Sequence, residues 1–245
     1  MLRILIFGAT SAIAEATARR LASPQTAFFL VGRNPQRLAA ITDDLRVRTG
    51  NPVHQESADL DVLAQHPRLI DKALAALGGL DLVLIAHGTL PSQQVCEKDV
   101  ARTMAAIHSN ALSAISLSSL IANHFETVGR GTLVVIGSVA GDRGRQSNYV
   151  YGAAKGMLAI FLQGLRNRLT PAGCQVITIK PGFVDTPMTT DFPKGALWAQ
   201  PDEIAQGIVK AIRRKSDVVY LPCFWYAIMG LVRAIPERIF KRMQL

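Results

Sequence analysis

Six largely apolar runs of four to seven residues, set apart by segments of helix length, constrain this chain more than any other feature. They are Arg3–Phe7, Ala27–Val31, Leu80–Ala86, Thr132–Gly137, Gln175–Lys180 and Val218–Leu221, with Pro52–Glu56 as a weaker seventh. None alternates polar with apolar, so each reads as a strand buried on both faces. Between them lie amphipathic stretches: Ala12–Ala22, Pro35–Thr49, Pro67–Leu77, Asp99–Thr127, Tyr149–Thr170 and Pro201–Arg214. Buried strands separated by helices predict an α/β fold, a doubly wound parallel sheet of about seven strands with helices on both faces. Hydrophobic residues make up 49% of the 245 and charged residues 18%, enough to build one substantial core. Repeats and low-complexity tracts are lacking. Residues 1–221 therefore read as one body, and 222–245 as a basic, aromatic C-terminal extension.

The strand ends carry the polar residues that such a sheet offers to a ligand. After the first strand comes Gly8-Ala9-Thr10-Ser11-Ala12-Ile13-Ala14, then a helix. A glycine permits the tight turn, and the amides of the helix start can face a pyrophosphate, as in Rossmann-type dinucleotide sites. Gly8 is the one glycine of the usual three. Ala14 still allows close helix–strand packing, whereas the Ala12 methyl stands where phosphate would approach. The second strand ends Gly32-Arg33-Asn34, with Arg37 a turn further on. NAD-preferring sites place an acid there for the ribose 2′-hydroxyl; a guanidinium instead suits a 2′-phosphate, favouring NADP(H) over NAD(H). Asp59 and Leu60 follow the third strand and suit either adenine contact or the N-cap of the next helix. Ala86, His87 and Gly88 end the fourth strand; small residues there line a crevice, and His87 reads as space-filling.

Tyr151 and Lys155 stand four apart in Tyr149-Val150-Tyr151-Gly152-Ala153-Ala154-Lys155, and Ser138 precedes Tyr151 by thirteen residues. On a helix, i and i+4 share a face, and an adjacent ammonium is expected to lower the phenol pKa toward the range useful in proton transfer. Ser138 ends the fifth strand, where its hydroxyl can reach a carbonyl oxygen. GxSxG is not met, which argues against a hydrolase. Asn110 interrupts a helix-friendly run; such an asparagine is either simply exposed or disturbs the backbone ladder and holds a water. Arg143 and Arg145, in the loop from Asp142 to Asn148, suit phosphate recognition or plain solvation. Pro181, Gly182, Val184 and Thr186 form a rigid turn, Thr186 suits a nicotinamide carboxamide, and the residues on to Trp198 read as a substrate lid.

Ordered from Gly8 to Thr186, these residues resemble the short-chain dehydrogenase/reductase family in its compact form. The resemblance carries a catalytic tetrad onto Asn110, Ser138, Tyr151 and Lys155. Nucleotide contacts fall on Gly8, Thr10, Ser11, Ile13, Arg33, Asp59, Leu60, Ala86, Gly88, Tyr151, Lys155, Pro181, Gly182, Val184 and Thr186. Departures are Ala12, Ala14 and Ala86-His87-Gly88, where Asn-Ala-Gly is usual. The family implies ketone reduction by NADPH: Tyr151 protonates the carbonyl oxygen, Ser138 polarises it, Lys155 lowers the tyrosine pKa and holds the nicotinamide ribose, and Asn110 holds a relay water. It also implies a homo-oligomer, a dimer or tetramer. The second half resembles a bacterial branch that includes decaprenylphosphoryl-2-keto-pentose reductases, which would make the substrate a lipid-linked keto-sugar and a flavin-dependent oxidase a partner. A 3-oxoacyl or other keto-lipid reductase would use the same tetrad. A non-catalytic NADP-binding regulator would have no need of it.

Charge and cysteine usage narrow the setting. Of the net charge of +9, six units lie in residues 210–245, which hold eight basic and two acidic side chains. The body's +3 is ordinary, and the absence of any nucleic-acid motif argues against such a partner. Phe224-Trp225-Tyr226 beside Arg233, Arg238, Lys241 and Arg242 suits either an interfacial helix on a membrane surface or a contact between subunits. Val218 to Val232 is uncharged but too short to span a bilayer as a helix, and Pro222 interrupts it. Cys96, Cys174 and Cys223 show neither disulfide nor metal spacing, which favours a reducing compartment and no metal site. The short first apolar run reads as a strand rather than a secretory signal. The expected location is the cytoplasm, with peripheral attachment to the inner face of the cell membrane if the extension binds lipid.

Overall fold

A computed structural model describes residues 1–243. In chain order, β1 (Leu2–Phe7) leads through α1 (Ala12–Leu21), β2 (Thr26–Gly32), α2 (Pro35–Thr49), β3 (Val53–Ser57) and α3 (His66–Leu77) to β4 (Leu82–Ile85). Short α4 (Gln93–Cys96) precedes α5 (Val100–Ile107), a π-helical turn at His108–Leu112 and α6 (Ser113–Val128). Next come β5 (Thr132–Ile136), α7 (Tyr149–Leu169) and β6 (Gln175–Pro181). The strand pair β7 (Phe183–Val184) and β8 (Trp198–Ala199) is followed by α8 (Pro201–Arg214), β9 (Val218–Leu221), α9 (Phe224–Ala234) and α10 (Glu237–Phe240).

The main sheet has seven strands in the order β3-β2-β1-β4-β5-β6-β9, and every neighbouring pair is parallel. The uninterrupted apolar runs follow from this architecture, because side chains of one strand enter two cores. Leu5 and Phe7 pack with Leu69, Leu117, Ile121, Phe125, Leu158 and Leu162 on the α3–α6–α7 face. Ile4 and Ile6 pack with Ile13, Leu38, Leu45, Ile204 and Ile208 on the α1–α2–α8 face. The strand order reverses between β1 and β4, so the ligand crevice of an open sheet falls at their carboxyl ends.

Most helix limits follow from local chemistry. In α2, Pro35 opens the first turn, the Asn34 side chain accepts from the Arg37 N–H at 2.9 Å, and left-handed Gly50 closes the end. The expected single helix over Asp99–Thr127 is instead two, joined by the π-helical turn around Asn110. Length and composition would let Val100–Val128 cross a bilayer. Leu117, Ile121 and Phe125 are fully buried against the sheet, however, and the run is a core element.

The extension packs on the body. Trp225 and Met229 of α9 bury against Tyr220 and Val139. Arg143 donates to the carbonyls of Val232 and Ile235, both at 2.6 Å, pairs with Glu237 at 3.0 Å, and lies 3.7 Å over the Phe240 ring. The sequence alternatives for this arginine, solvation or phosphate recognition, both give way to a docking role.

Candidate active site

At the carboxyl ends of β4 and β5, the fold gathers residues that lie far apart in sequence. Tyr151 and Lys155 stand one turn apart near the start of α7. The lysine is 4% exposed, its Nζ donates to the Ile136 carbonyl at 3.0 Å, and it lies 5.8 Å from the Tyr151 ring centroid. Burial lowers its pKa to about 8. Burial also raises the Tyr151 phenol, against the opposing effect of its hydrogen bond with Ser138. The expected depression of this phenol by Lys155 is not seen: burial sets the direction of the shift, and the ammonium's hydrogen bond goes to a backbone carbonyl. Ser138 Oγ also accepts from Ala140 N at 3.1 Å, which fixes the hydroxyl at the strand end.

Asn110 is 1% exposed within the π-helical turn. Its Nδ2 donates to the Ala106 carbonyl at 3.0 Å and to Thr89 Oγ1 at 3.2 Å, while its Oδ1 accepts from Thr89 N at 3.0 Å. The side chain thus competes for the backbone ladder, as expected of a mid-helix asparagine, and widens the turn. Gly88 makes the grouping possible. A Cβ there would lie 2.8 Å from Asn110 Oδ1 and 3.7 Å from Lys155 Nζ. Gly8, with φ +76°, has the same role in the β1–α1 turn, where a Cβ would approach His87 N to 2.5 Å.

Residues expected to hold a dinucleotide lie along the same edge. No side chain caps α1, although Ser11 occupies the N-cap, so first-turn amides remain open to an anion. Ala14 and Ile13 are buried and Ala12 half-buried. The Thr10 side chain lies against Gly32 at the end of β2. Arg33 and Arg37 are exposed beyond that strand, and no carboxylate pairs with either among the described residues. These features fit a nicotinamide dinucleotide: a turn that only glycine fills, free amides and, beyond β2, an unpaired guanidinium. Asp59 accepts from Asp61 N at 3.0 Å, closing a short turn rather than capping a helix. The Leu60 carbonyl is occupied inward by Ser113 Oγ at 2.5 Å. Pro181 and Val184 are buried, and Thr186 opens a turn in which its N–H meets Thr189 Oγ1 at 3.2 Å.

His87 is more than filler. Its Nε2 lies 2.8 Å from Ser113 Oγ, whose own proton goes to Leu60, so Nε2 carries the hydrogen. Burial first, and the Lys155 charge second, lower this imidazole to about 3, which keeps it neutral. It braces β4 against α6, a role its neighbours in sequence do not announce.

Two further groupings escape the sequence reading. Buried Lys180 pairs with Asp142, and Tyr220 donates to the other oxygen of the same carboxylate at 2.6 Å. A lysine inside an apolar strand run is the one available signal, since its partners lie 38 and 40 residues away. Aromatic rings also line the expected lid. Phe183 stacks on Trp198 at 5.5 Å and meets Trp225 edge-on at 5.4 Å, and a Cβ on Gly182 would fall 1.9 Å from the Trp225 indole nitrogen.

The sequence family described as short chain dehydrogenase matches residues 3–196. An uncharacterized oxidoreductase of Mycobacterium tuberculosis is 35% identical over 98% of this chain and 96% of its own. A ketoacyl reductase of a Nostoc species is 28% identical over 88% of this chain and 77% of its own. Among solved structures, a short-chain dehydrogenase from Sphingobium yanoikuyae in complex with NADPH superposes with a TM-score of 0.82 at 25% identity, covering 97% of both chains. A bulky-bulky ketone specific alcohol dehydrogenase from Comamonas testosteroni, 22% identical, shares the fold with a TM-score of 0.80 over 96% of each chain.

Proposed function

The chain belongs to the short chain dehydrogenase family and is an oxidoreductase; on that premise we propose that it reduces a ketone to a secondary alcohol with NADPH. One observation supports the reading: Tyr151 hydrogen-bonds with Ser138 and stands beside Lys155, while Gly88 lets Asn110 and Lys155 approach from the other side. The amides of the α1 turn would hold the pyrophosphate and Arg33 the 2′-phosphate; the NADPH of the Sphingobium relative supports that choice. The dinucleotide, when bound, supplies hydride to the carbonyl carbon. Ser138 donates to the carbonyl oxygen, and Tyr151, held protonated by burial, gives that oxygen its proton. Lys155 keeps a positive charge beside the phenol below about pH 8, and Asn110 holds the water that relays protons to the lysine.

For the substrate we favour an amphipathic keto-sugar bearing a phosphoryl group, of the polyprenyl-phosphoryl pentose kind, with a flavin-dependent oxidase supplying the ketone. The half-buried Arg145 supports this: burial lowers its pKa, and no carboxylate pairs with it among the described residues. The Nostoc relative supports a second reading, a 3-oxoacyl reductase. A subunit interface on exposed Val100, Met104, Met157 and Ile160 suits a homo-oligomer, and a cytoplasmic NADPH pool suits the reaction.

NADPH oxidation with phosphorylated keto-sugars, neutral keto-sugars and 3-oxoacyl thioesters tests the proposal. Turnover of the first with a KM raised about 10-fold in Arg145→Gln is expected. Stoichiometric NADPH binding without any turnover would instead identify a regulator. Arg33→Asp is expected to weaken NADPH binding about 100-fold, measured by cofactor fluorescence.

A further inference from the structure

The outer surface of the C-terminal extension joins exposed apolar side chains to unpaired cations. Helix α9 turns Trp225 and Met229 inward and leaves Phe224, Tyr226 and Leu231 outward, the last two 67% and 73% exposed. Arg233 is its single charged residue. An exposed helix face with no charge from Phe224 to Val232 is costly in water and marks an interaction surface. Ile239, 57% exposed, extends it into α10.

Basic residues rim this apolar face. Arg233, Arg238, Lys241 and Arg242 are all exposed, and none pairs with a carboxylate among the described residues. The nearest acid in sequence, Glu237, is already taken by Arg143. Apolar and aromatic side chains flanked by unpaired cations match the interface of a bilayer carrying anionic headgroups.

We infer that α9 and α10 dock this protein onto an anionic lipid surface, with Phe224, Tyr226, Leu231 and Ile239 entering the headgroup boundary and the four basic side chains meeting the phosphates. The docking face also adjoins the expected lid. Phe224 contacts Trp225 at 5.9 Å, Trp225 contacts Phe183 at 5.4 Å, and Phe183 stacks on Trp198 at 5.5 Å, joining the extension to the lid. The lid itself exposes Met188, Phe192 and Leu197. The exposed apolar residues of the lid would then lie beside the leaflet, where an apolar chain attached to a substrate can meet them. That last step rests on the reductase reading; the docking does not.

Flotation of the full chain with phosphatidylglycerol vesicles and with pure phosphatidylcholine vesicles tests the inference. The wild type is expected to float with the anionic vesicles and to be released by salt. Neutralising three charges (R238Q, K241Q, R242Q) should weaken partitioning about 100-fold, and Y226S, L231S and I239S together should abolish it. Reduction of a water-soluble ketone should be unchanged in both variants, which shows that they fold and keeps this test separate from that of the activity. A wild type that stays with the soluble fraction, or a serine variant that floats like wild type, overturns the inference. So does a serine variant that merely lowers the oligomeric mass in light scattering, since the face would then bind a second copy.

Discussion

Two tyrosines each stand beside a buried lysine in this molecule, and only one of the two pairs has an acid. Lys155 sits 5.8 Å from the Tyr151 ring centroid, and Lys180 sits 5.2 Å from that of Tyr220. Around the first pair the partners are neutral: the Ile136 carbonyl for the lysine and Ser138 for the phenol. Around the second, Asp142 takes both the ammonium and the phenolic proton. A carboxylate changes what such a pair can do. Burial, then the Asp142 hydrogen bond and charge, push Tyr220 far above its usual range, so its proton stays in place. Lys155, with no anion to hold its charge, falls to about 8 and titrates where an enzyme works. The closed pair ties the Ser138 loop to β6 and β9, and the open pair is left for chemistry.

The sharpest break between the pairs should come from Tyr151→Phe. Losing the proton donor is expected to cost about 10³-fold in turnover while NADPH binding persists. Single-turnover NADPH oxidation beside cofactor fluorescence separates the two, and wild-type turnover in this variant would remove Tyr151 from the chemistry. Asp142→Ala addresses the other pair. It strands the Lys180 charge in the interior and should destabilise the fold by roughly 3–5 kcal/mol, read by chemical denaturation. A loss below about 1 kcal/mol would mean that the carboxylate is dispensable.

A smaller effect follows from the sign of the Lys155 shift. A buried lysine lowered to about 8 is charged below that pH and neutral above it. Reduction, which needs the ammonium beside a protonated phenol, should therefore fall about tenfold per pH unit above 8 in kcat/KM. Tyr151 is held above its ordinary value and stays protonated through this range. Lys155→Arg should retain partial activity without this limb, because arginine does not titrate there. A limb of unchanged midpoint in that variant would assign it to another group.

The open pair was legible in the sequence and the closed one was not, for a physical reason. Tyr151 and Lys155 share one helix, where a spacing of four states their proximity, and the apolar runs of β1, β2, β5, β6 and β9 mark strands to within a residue. Asp142, Lys180 and Tyr220 come from a loop and two strands, so only the sheet order brings them together. The same holds for Arg143, whose partners lie about ninety residues on. Strands β7 and β8 have two residues each, too few for any period to show. Asn110 was visible as an oddity in its helix, but its partner Thr89 and the widened turn were not. The direction of the Tyr151 shift was not legible, because spacing reveals the neighbouring charge and says nothing about burial.

The mildest change, Tyr220→Phe, makes the comparison cleanest because it deletes the same hydroxyl as Tyr151→Phe from the same kind of pair. Lys180 still holds Asp142, and the ring keeps its edge-on contact with Tyr226 at 5.5 Å. One charge-assisted hydrogen bond is lost, for an expected cost of about 1.5 kcal/mol in denaturation. Turnover should stay within about twofold of wild type, and the alkaline limb near pH 8 should not move. If Tyr220→Phe instead shifted that limb, the two pairs would be electrostatically joined, and Asp142 would help set the charge state of Lys155. An unshifted limb with wild-type turnover leaves the second pair as a clamp, and the chemistry with the pair that has no acid.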